Sequence, residues 1–174
     1  MRALEIGPGT HPVNKGWMIM DMIDRPYVDI NHDVRIRPWP ITSGIYDLVY
    51  MSHILEHVPW FDTVATLREV HRILRPGGEV EIWVPDFEKI VKAYLNKKPG
   101  DSWFKFNSNK DFMTWINGRL FTYGPGEENW HRATFDEVYL KQRLKEAGFR
   151  HTQKLLKPRG YDHGMINLGV AAVK

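Results

Sequence analysis

The stretch Ala3-Leu4-Glu5-Ile6-Gly7-Pro8-Gly9 decides the fold of this protein. Its first part is a mainly apolar run typical of a short strand, and Gly7-Pro8-Gly9 predicts a tight turn directly after it. Glycines at such a turn let backbone N–H groups come close to a ligand. The stretch therefore predicts a strand that leads into a ligand-binding turn.

Strands and helices alternate along the rest of the chain. Further strands are predicted at Trp17–Met20, Tyr27–Ile30, Tyr46–Met51, Val80–Val84, Phe149–Leu156 and Met165–Val173. A helix is predicted over about Asp62–Leu74, where Val64, Leu67, Val70 and Leu74 form one apolar stripe. A second is predicted over Asp86–Leu95, where Asp86 can cap the first turn. A third is predicted from Thr134, where Thr134-Phe135-Asp136-Glu137 resembles a capping box. This alternation predicts an α/β fold, with a mostly parallel seven-stranded sheet and helices on both faces.

Polar residues follow the predicted strands at their carboxyl ends. In sheets of this kind, ligands bind in the crevice beyond these ends. Asp21 ends the second strand, where a carboxylate can accept hydrogen bonds from ribose hydroxyls. Asp33 follows the third strand and is placed to meet an adenine edge. The sequence thus predicts a site for a nucleoside-containing ligand.

The order of the motifs resembles one known family. Glu5-Ile6-Gly7-Pro8-Gly9, the acidic Asp21, Tyr46-Asp47-Leu48-Val49 with Leu55-Glu56-His57, and Leu74-Arg75-Pro76-Gly77-Gly78 follow one another in family order. The chain resembles the class I S-adenosylmethionine-dependent methyltransferases, and most closely their small bacterial branch akin to the quinone-biosynthesis methyltransferases. The resemblance implies a Rossmann-like fold, S-adenosylmethionine as cofactor and a small-molecule methyl acceptor.

The resemblance also implies a set of cofactor-binding residues. Gly7 and Gly9 would lie under the methionine part of the cofactor, Asp21 would hold the ribose, and Asp33 with Val34 would meet the adenine. The backbone near Met51 and Ser52 would face the sulfonium. The full predicted set is Glu5, Gly7, Pro8, Gly9, Asp21, Met22, Asp33, Val34, Met51, Ser52, His53 and His57.

The chain departs from the family pattern at the first turn. The family usually has a small residue at position 11, where this chain has His11. Only Thr10 to Gly16, with Pro12 among them, is available for the helix between the first two strands. We therefore expect a shortened first helix of one turn.

We expect one methyltransferase domain over residues 1–174, with an aromatic-rich insertion at 96–130. Its aromatic residues are Trp103, Phe104, Phe106, Phe112, Trp115, Phe121, Tyr123 and Trp130. A lid over the substrate is one interpretation. The other is a satellite core or a contact between two copies in a homodimer.

His53 and His131 are the candidate general bases, because imidazole suits proton removal near neutral pH. His57 is expected to pack under the cofactor. The run from His53 to His57 matches the His-x-x-Glu-His zinc pattern, but Pro59 cuts any helix short, so no metal site is predicted. The remaining histidines, His11, His32, His71, His151 and His163, are expected to be surface or structural.

Two other functions fit parts of the sequence. A nicotinamide-dependent oxidoreductase would need glycine at position 12, which is Pro12. A degenerate methyltransferase fold that serves as a binding or regulatory protein fits the shortened first helix. Whether the methyl acceptor atom is O, N or C is not readable from the sequence.

The composition indicates a globular protein. Of 174 residues, 43% are hydrophobic and 26% are charged, and cysteine is absent, which excludes disulfides and thiolate metal sites. Lysines and arginines are scattered despite the net charge of +3, so no nucleic-acid partner is predicted. No run suits a membrane span or a signal peptide, which favours a cytoplasmic protein.

Overall fold

The computed structural model describes residues 1–13, 16–96, 112–122 and 124–174. The strands are β1 (Ala3–Ile6), β2 (Met18–Asp21), β3 (Ile30–Asn31), β4 (Tyr46–Ser52), β5 (Leu74–Pro85), β6 (Arg150–Leu155) and β7 (Asn167–Val173). The helices are α1 (Thr63–Ile73), α2 (Phe87–Leu95), α3 (Phe112–Leu120) and α4 (Glu137–Glu146). None of these helices combines the length and the apolar character needed to span a membrane.

The seven strands form one sheet in the order β3-β2-β1-β4-β5-β7-β6. All neighbouring pairs from β3 to β5 are parallel, and β7 runs antiparallel to both β5 and β6. Ile6 lies opposite both Met20 and Met51, so β1, β2 and β4 end at the same level. The predicted mostly parallel, seven-stranded α/β sheet is confirmed.

One face of the sheet is covered by α1 and α4. The apolar stripe predicted for α1 is buried there, with Leu67 and Val70 fully inaccessible, and Leu140 and Leu144 bring α4 into the same core. These side chains pack against Val49 and its neighbours in the sheet. This face therefore carries the main core, because two amphipathic helices turn their apolar sides onto continuous apolar strands.

The described contacts to the opposite face come from loops. The rings of Tyr50 and Trp17 are 6.1 Å apart, and Gly160 donates its backbone N–H to the Tyr50 hydroxyl at 3.4 Å. Arg159 donates two hydrogen bonds from Nε to the buried Glu81 carboxylate, at 2.9 and 2.8 Å. The loops after β1 and after β6 thus contact this face of the sheet, whereas the sequence had predicted helices on both faces.

The connection from β1 to β2 holds no helix within its described residues, 7–13 and 16–17. A single turn is closed by the His11 N–H, which donates to the Pro8 carbonyl at 3.1 Å. The expected reduction to one turn is met, since Pro12 has no N–H to continue a helical ladder.

Several element boundaries differ from the sequence-based expectation. The fifth strand was expected at Val80–Val84, but β5 spans Leu74–Pro85. The third strand was expected at Tyr27–Ile30, but β3 comprises only Ile30–Asn31. Helix α4 begins at Glu137, capped by Asp136, which accepts a hydrogen bond from Tyr139 N at 2.7 Å. It does not begin at Thr134, because Phe135 is held extended by a parallel bridge to Asp86. The predicted cap of α2, Asp86, is confirmed by its bond from Lys89 N at 3.2 Å.

A smaller apolar cluster lies between α2 and α3. Ile90 and Ala93 of α2 pack with Trp115, Ile116 and Ile166. Part of the 96–130 insertion thus has a core of its own. The aromatic residues Trp103, Phe104, Phe106 and Tyr123 lie outside the described residues.

Candidate active site

A crevice of about 220 Å³ lies at the carboxyl ends of β1, β2 and β3. Most of the residues predicted for the cofactor site line it: Gly7, Gly9, Asp21, Met22, Asp33, Val34, His53 and His57. They come together because the parallel strands end at the same level and each one delivers the residue that follows it. The crevice predicted from the strand ends is therefore present.

Five of the predicted site residues do not line this crevice: Glu5, Pro8, Met51, Ser52 and His131. Met51 is fully buried in the main core, and the Ser52 hydroxyl bonds to Tyr50. Glu5 lies opposite Tyr50 in the sheet, and Ser52 is two residues after Tyr50 in β4. Because side chains alternate between the two faces of a strand, both point to the face that the loops cover, as Tyr50 does.

Gly7 and Gly9 shape the floor of the crevice in different ways. Both have left-handed backbones, with φ of +65° and +58°. A Cβ on Gly7 would lie 2.0 Å from the Ile54 Cδ1 atom, whereas nothing lies within 4 Å of a Cβ on Gly9. The Gly7 N–H already donates to the Met20 carbonyl at 2.8 Å. Gly7 thus allows close packing, and Gly9 opens the backbone toward the crevice.

Four charged residues form what we call the aspartate wall: Asp21, Arg25, Asp33 and Arg35. Asp21 accepts hydrogen bonds from Ile23 N at 2.9 Å and from Arg25 Nη1 at 3.2 Å. Arg35 holds Asp33 through Nε at 3.0 Å and Nη2 at 2.6 Å. Burial would raise the pKa of Asp33, but the hydrogen bonds from Arg35 outweigh it and lower the pKa. Both carboxylates are therefore paired with an arginine.

Several crevice residues were missed by sequence reasoning: Ile6, Met20, Ile23, Arg25, His32, Arg35, Ile54, Glu128 and Asn129. Arg25 follows Asp21 by four residues and Arg35 follows Asp33 by two, and these short spacings could have indicated the two ion pairs. Glu128 and Asn129 come from the 96–130 insertion, and no local pattern places them at a crevice about 100 residues away in sequence.

A second group, which we call the histidine cluster, adjoins the crevice: His53, Glu56, His57, His131 and His163. The His53 ring lies between two acceptors, with Nδ1 3.1 Å from Glu56 Oε1 and Nε2 2.9 Å from Asn167 Oδ1. Asn167 Nδ2 donates to Asp162 at 2.6 Å, which fixes the amide orientation. Both ring nitrogens of His53 are thus engaged, which favours a positioning role over proton removal.

His163, which was expected to be surface or structural, packs on His53 with ring centroids 3.8 Å apart. Burial, reinforced by the neighbouring His53, lowers the pKa of His163 to about 4. His163 is therefore neutral at physiological pH and can lie against another imidazole without charge repulsion.

Glu56 lies at the centre of the cluster and is 1% exposed. Burial would raise the pKa of its carboxyl group, but the surrounding histidines His53, His57 and His131 outweigh burial and lower it. Neither carboxylate oxygen accepts a hydrogen bond of standard geometry from the described residues. His131 is half-buried, and burial lowers its pKa despite the nearby Glu56 carboxylate.

Glu5 is a further buried carboxyl group, 2% exposed, on the loop-covered face. Burial raises its pKa to about 7, although Val13 N donates a hydrogen bond to it at 2.8 Å. It anchors the first loop beneath the Gly7 turn and does not contact the crevice itself.

The comparisons with known proteins agree with this architecture. The family described as methyltransferase domain matches residues 1–154. The demethylmenaquinone methyltransferase of Staphylococcus saprophyticus is 27% identical over 124 residues, which are 66% of this chain and 46% of that protein. The chain thus spans less than half the length of this relative.

Two solved structures have a similar fold. A methyltransferase from Thermotoga maritima, described as a possible histamine N-methyltransferase, is 17% identical with a TM-score of 0.57, covering 99% of this chain and 82% of that one. The 1,6-didemethyltoxoflavin N1-methyltransferase of Burkholderia thailandensis, solved with its substrate and S-adenosylhomocysteine, is 18% identical with a TM-score of 0.58, covering 99% and 70%. Together with the match over residues 1–154, the sheet order and the crevice assign this chain to the methyltransferase-domain family.

Proposed function

We propose that this protein transfers a methyl group from S-adenosylmethionine to a small-molecule acceptor. One observation carries the proposal: the glycine turn, Asp21 and Asp33 converge on a single crevice at the carboxyl ends of β1 to β3. This is where open α/β sheets bind nucleoside-containing ligands. The family match and the resemblance to a structure solved with S-adenosylhomocysteine support the same cofactor.

The residues of the crevice fit this cofactor. The space above Gly9 is open, so its backbone can approach the methionine part of the ligand. Each Asp21 carboxylate oxygen accepts one hydrogen bond and keeps a lone pair for a ribose hydroxyl. Met20, Val34 and Ile54 supply apolar surface for an adenine ring. The aspartate wall therefore suits the nucleoside half.

When bound, S-adenosylmethionine supplies an electrophilic methyl group, so the protein chiefly provides orientation and exclusion of water. His53 lies at the inner end of the crevice, held between Glu56 and Asn167. In this role it orients the acceptor without removing a proton. His131, the other candidate base, lies behind His57 with ring centroids 4.9 Å apart, outside the crevice lining.

We propose that the 96–130 insertion acts as a lid and carries acceptor specificity. Its residues Glu128 and Asn129 line the crevice, and the Phe121 carbonyl accepts the His131 N–H at 2.6 Å. Phe121 and Trp130 are exposed beside the histidine cluster. The small molecules named for similar proteins include demethylmenaquinone, histamine and 1,6-didemethyltoxoflavin. A flat, partly apolar acceptor is consistent with these exposed rings.

The two competing functions are less well supported. A dinucleotide-binding oxidoreductase would have a sheet of parallel strands and a glycine-rich turn opening a helix, whereas β7 here is antiparallel and no helix follows β1 in the described residues. A degenerate methyltransferase fold that only binds ligands would have the same crevice but would not catalyse methyl transfer. Cytoplasmic location, the lack of a nucleic-acid partner and the dimer interpretation of 96–130 stay predictions.

Calorimetric titration with S-adenosylhomocysteine and S-adenosylmethionine tests the cofactor proposal, with NADH and ATP as control ligands. We expect binding of one adenosyl ligand per chain and none of the controls. No heat at about 1 mM ligand, or preferential binding of NADH, would overturn it. Incubation with labelled methyl donor and a metabolite extract then separates the enzyme from the binding protein, which would bind without transferring label.

A further inference from the structure

Three side chains of the histidine cluster form a candidate metal site. Glu56, His57 and His131 each offer one ligand atom, and these atoms lie within 4.8 Å of one another. Two imidazoles and a carboxylate form a common ligand set for divalent transition metals in proteins. Glu56 and His57 of this candidate site belong to the short turn after β4, and His131 belongs to the segment before α4.

The imidazole hydrogen bonds favour metal binding through the Nε2 atoms. His131 Nδ1 lies 2.9 Å from the Arg119 carbonyl oxygen, and His57 Nδ1 lies 3.3 Å from the Trp130 carbonyl oxygen. A carbonyl can only accept, so each Nδ1 carries a proton, and in the neutral imidazole the lone pair is then on Nε2. Metal-binding histidines usually show this arrangement, with the outer N–H held by a carbonyl or carboxylate.

The Glu56 carboxylate needs a partner that the described residues do not fully supply. It is 1% exposed, and neither oxygen accepts a hydrogen bond of standard geometry. A buried carboxylate without such bonds is costly unless a cation or a metal ion neutralises it. His53 Nδ1, at 3.1 Å from Oε1, faces one oxygen and leaves the other for an ion.

The backbone holds the three side chains in a common frame. The N–H groups of Arg132 and Ala133 both donate to the Glu56 carbonyl, at 2.7 and 3.1 Å. The Leu55–His57 turn and the segment that carries His131 are thereby joined through main-chain bonds. The site is therefore formed before any ion binds, which lowers the entropic cost of binding.

We propose that Glu56, His57 and His131 bind one divalent transition-metal ion, with Zn²⁺ as the first candidate. Three protein ligands leave a coordination position open, as in catalytic zinc sites. His57 lines the crevice, so the site adjoins the space where an acceptor would lie. The sequence pattern had suggested His53 and His57 as the histidine pair. In the structure, the second histidine of the candidate site is His131 and not His53, and it is 74 positions after His57 in the chain.

The class of acceptor follows from this site, and this step rests on the proposed methyl transfer. An open position on a metal with two imidazole ligands and one carboxylate favours an oxygen donor such as a phenol or an enol. Coordination would lower the pKa of that hydroxyl, so that its proton passes to solvent and the oxygen is held as an anion facing the methyl group. The oxygen would then form the O–CH3 bond as the S–CH3 bond of S-adenosylmethionine breaks, and S-adenosylhomocysteine would leave. The metal would thus supply what neither His53 nor His131 supplies as a general base.

Titration of the metal-free, tag-free protein with Co²⁺ tests the site through the visible absorption of the bound ion. We expect one Co²⁺ per chain, displaced by one equivalent of Zn²⁺, and a higher melting temperature in the presence of Zn²⁺. His57→Gln and His131→Gln should each lower the affinity by more than about 100-fold, because loss of outer-shell partners alone costs roughly 10–100-fold.

His151→Asn is the matched control, since His151 is exposed and asparagine tolerates its left-handed backbone, with φ of +47°. This variant should bind as tightly as the wild type. Glu56→Gln adds a third test where circular dichroism shows a folded protein. Wild-type binding no tighter than that of His57→Gln would overturn the proposal, and so would binding that survives His131→Gln.

Calorimetry with S-adenosylhomocysteine in the presence of a chelator separates this inference from the proposed function. Cofactor binding that persists without metal, together with a featureless Co²⁺ titration, would reject the metal site and leave methyl transfer standing. A tight metal site without cofactor binding would reject methyl transfer and leave the metal site standing.

Discussion

The aspartate wall and the histidine cluster lie on two sides of the same crevice, and they neutralise their carboxylates in opposite ways. Asp21 and Asp33 are each paired with an arginine two to four residues later. Glu56 is fully buried and is surrounded by histidines instead. Arginine keeps its charge at any physiological pH, whereas imidazole gains and loses a proton or binds a metal. The wall is thus suited to holding a ligand, and the cluster to chemistry.

The largest expected effect concerns the turn that joins the two regions. Gly7→Ala should lower the free energy of unfolding by about 3 kcal/mol, because the left-handed backbone and the overlap with Ile54 each cost roughly 1–3 kcal/mol. Gly9→Ala has the same backbone but open space, and should cost only about 1 kcal/mol. Urea denaturation measures both. Equal losses would show that the contact with Ile54 does not constrain the turn.

Glu5 adds a third case to the comparison between arginine-paired and histidine-surrounded carboxylates. It is a buried carboxyl group that has no arginine partner among the described residues. Its pKa is raised from 4.5 to about 7 in the folded state, so the folded protein binds more protons than the unfolded chain between these values. Its contribution to stability therefore falls as pH rises from about 4.5 to about 7.

Glu5→Gln removes this penalty and keeps an acceptor for Val13 N. It should stabilise the protein by about 3 kcal/mol at pH 8, at roughly 1.4 kcal/mol per pH unit, and by almost nothing at pH 4. Denaturation of both proteins across this pH range isolates the effect of Glu5. A pH-independent difference would contradict the raised pKa.

His131→Ala should separate turnover from cofactor binding. We expect turnover to fall by about 100-fold or more, because the proposed metal site loses one of its three ligands. The affinity for S-adenosylhomocysteine should stay unchanged, because His131 lies outside the crevice lining. Steady-state kinetics and calorimetry on the same preparation give both numbers. The reverse pattern, with weaker cofactor binding and unchanged turnover, would show that His131 contributes to cofactor binding and not to turnover.

Asp21→Ala should affect the aspartate wall and change the affinity for the cofactor. The affinity for S-adenosylhomocysteine should weaken by about 1.5–3 kcal/mol, the worth of hydrogen bonds to a charged group. Asp24→Ala is the control, since Asp24 is exposed nearby and does not line the crevice. An Asp21→Ala protein that folds and binds as tightly as the control would remove Asp21 from the ribose site.

The short-range features of the molecule could be predicted from the sequence. The strand before Gly7, the apolar stripe of α1 and the cap at Asp86 depend on residues within a few positions of one another. The ends of β1, β2 and β4 were predicted to meet because parallel strands share one carboxyl edge. Periodicity, turn chemistry and sheet topology together therefore determined the fold and the aspartate half of the site.

Contacts between distant segments were decided only by the tertiary structure. His163 packs on His53, His131 joins Glu56 and His57, and Glu128 reaches the crevice, each across many residues. Such contacts leave no periodic signal, because they depend on how loops return to the sheet rather than on neighbouring residues. The start of α4 was misplaced for the same reason: a bridge between Asp86 and Phe135 overrode a local capping pattern. Local preferences amount to about 1 kcal/mol, and long-range hydrogen bonds and burial can exceed them.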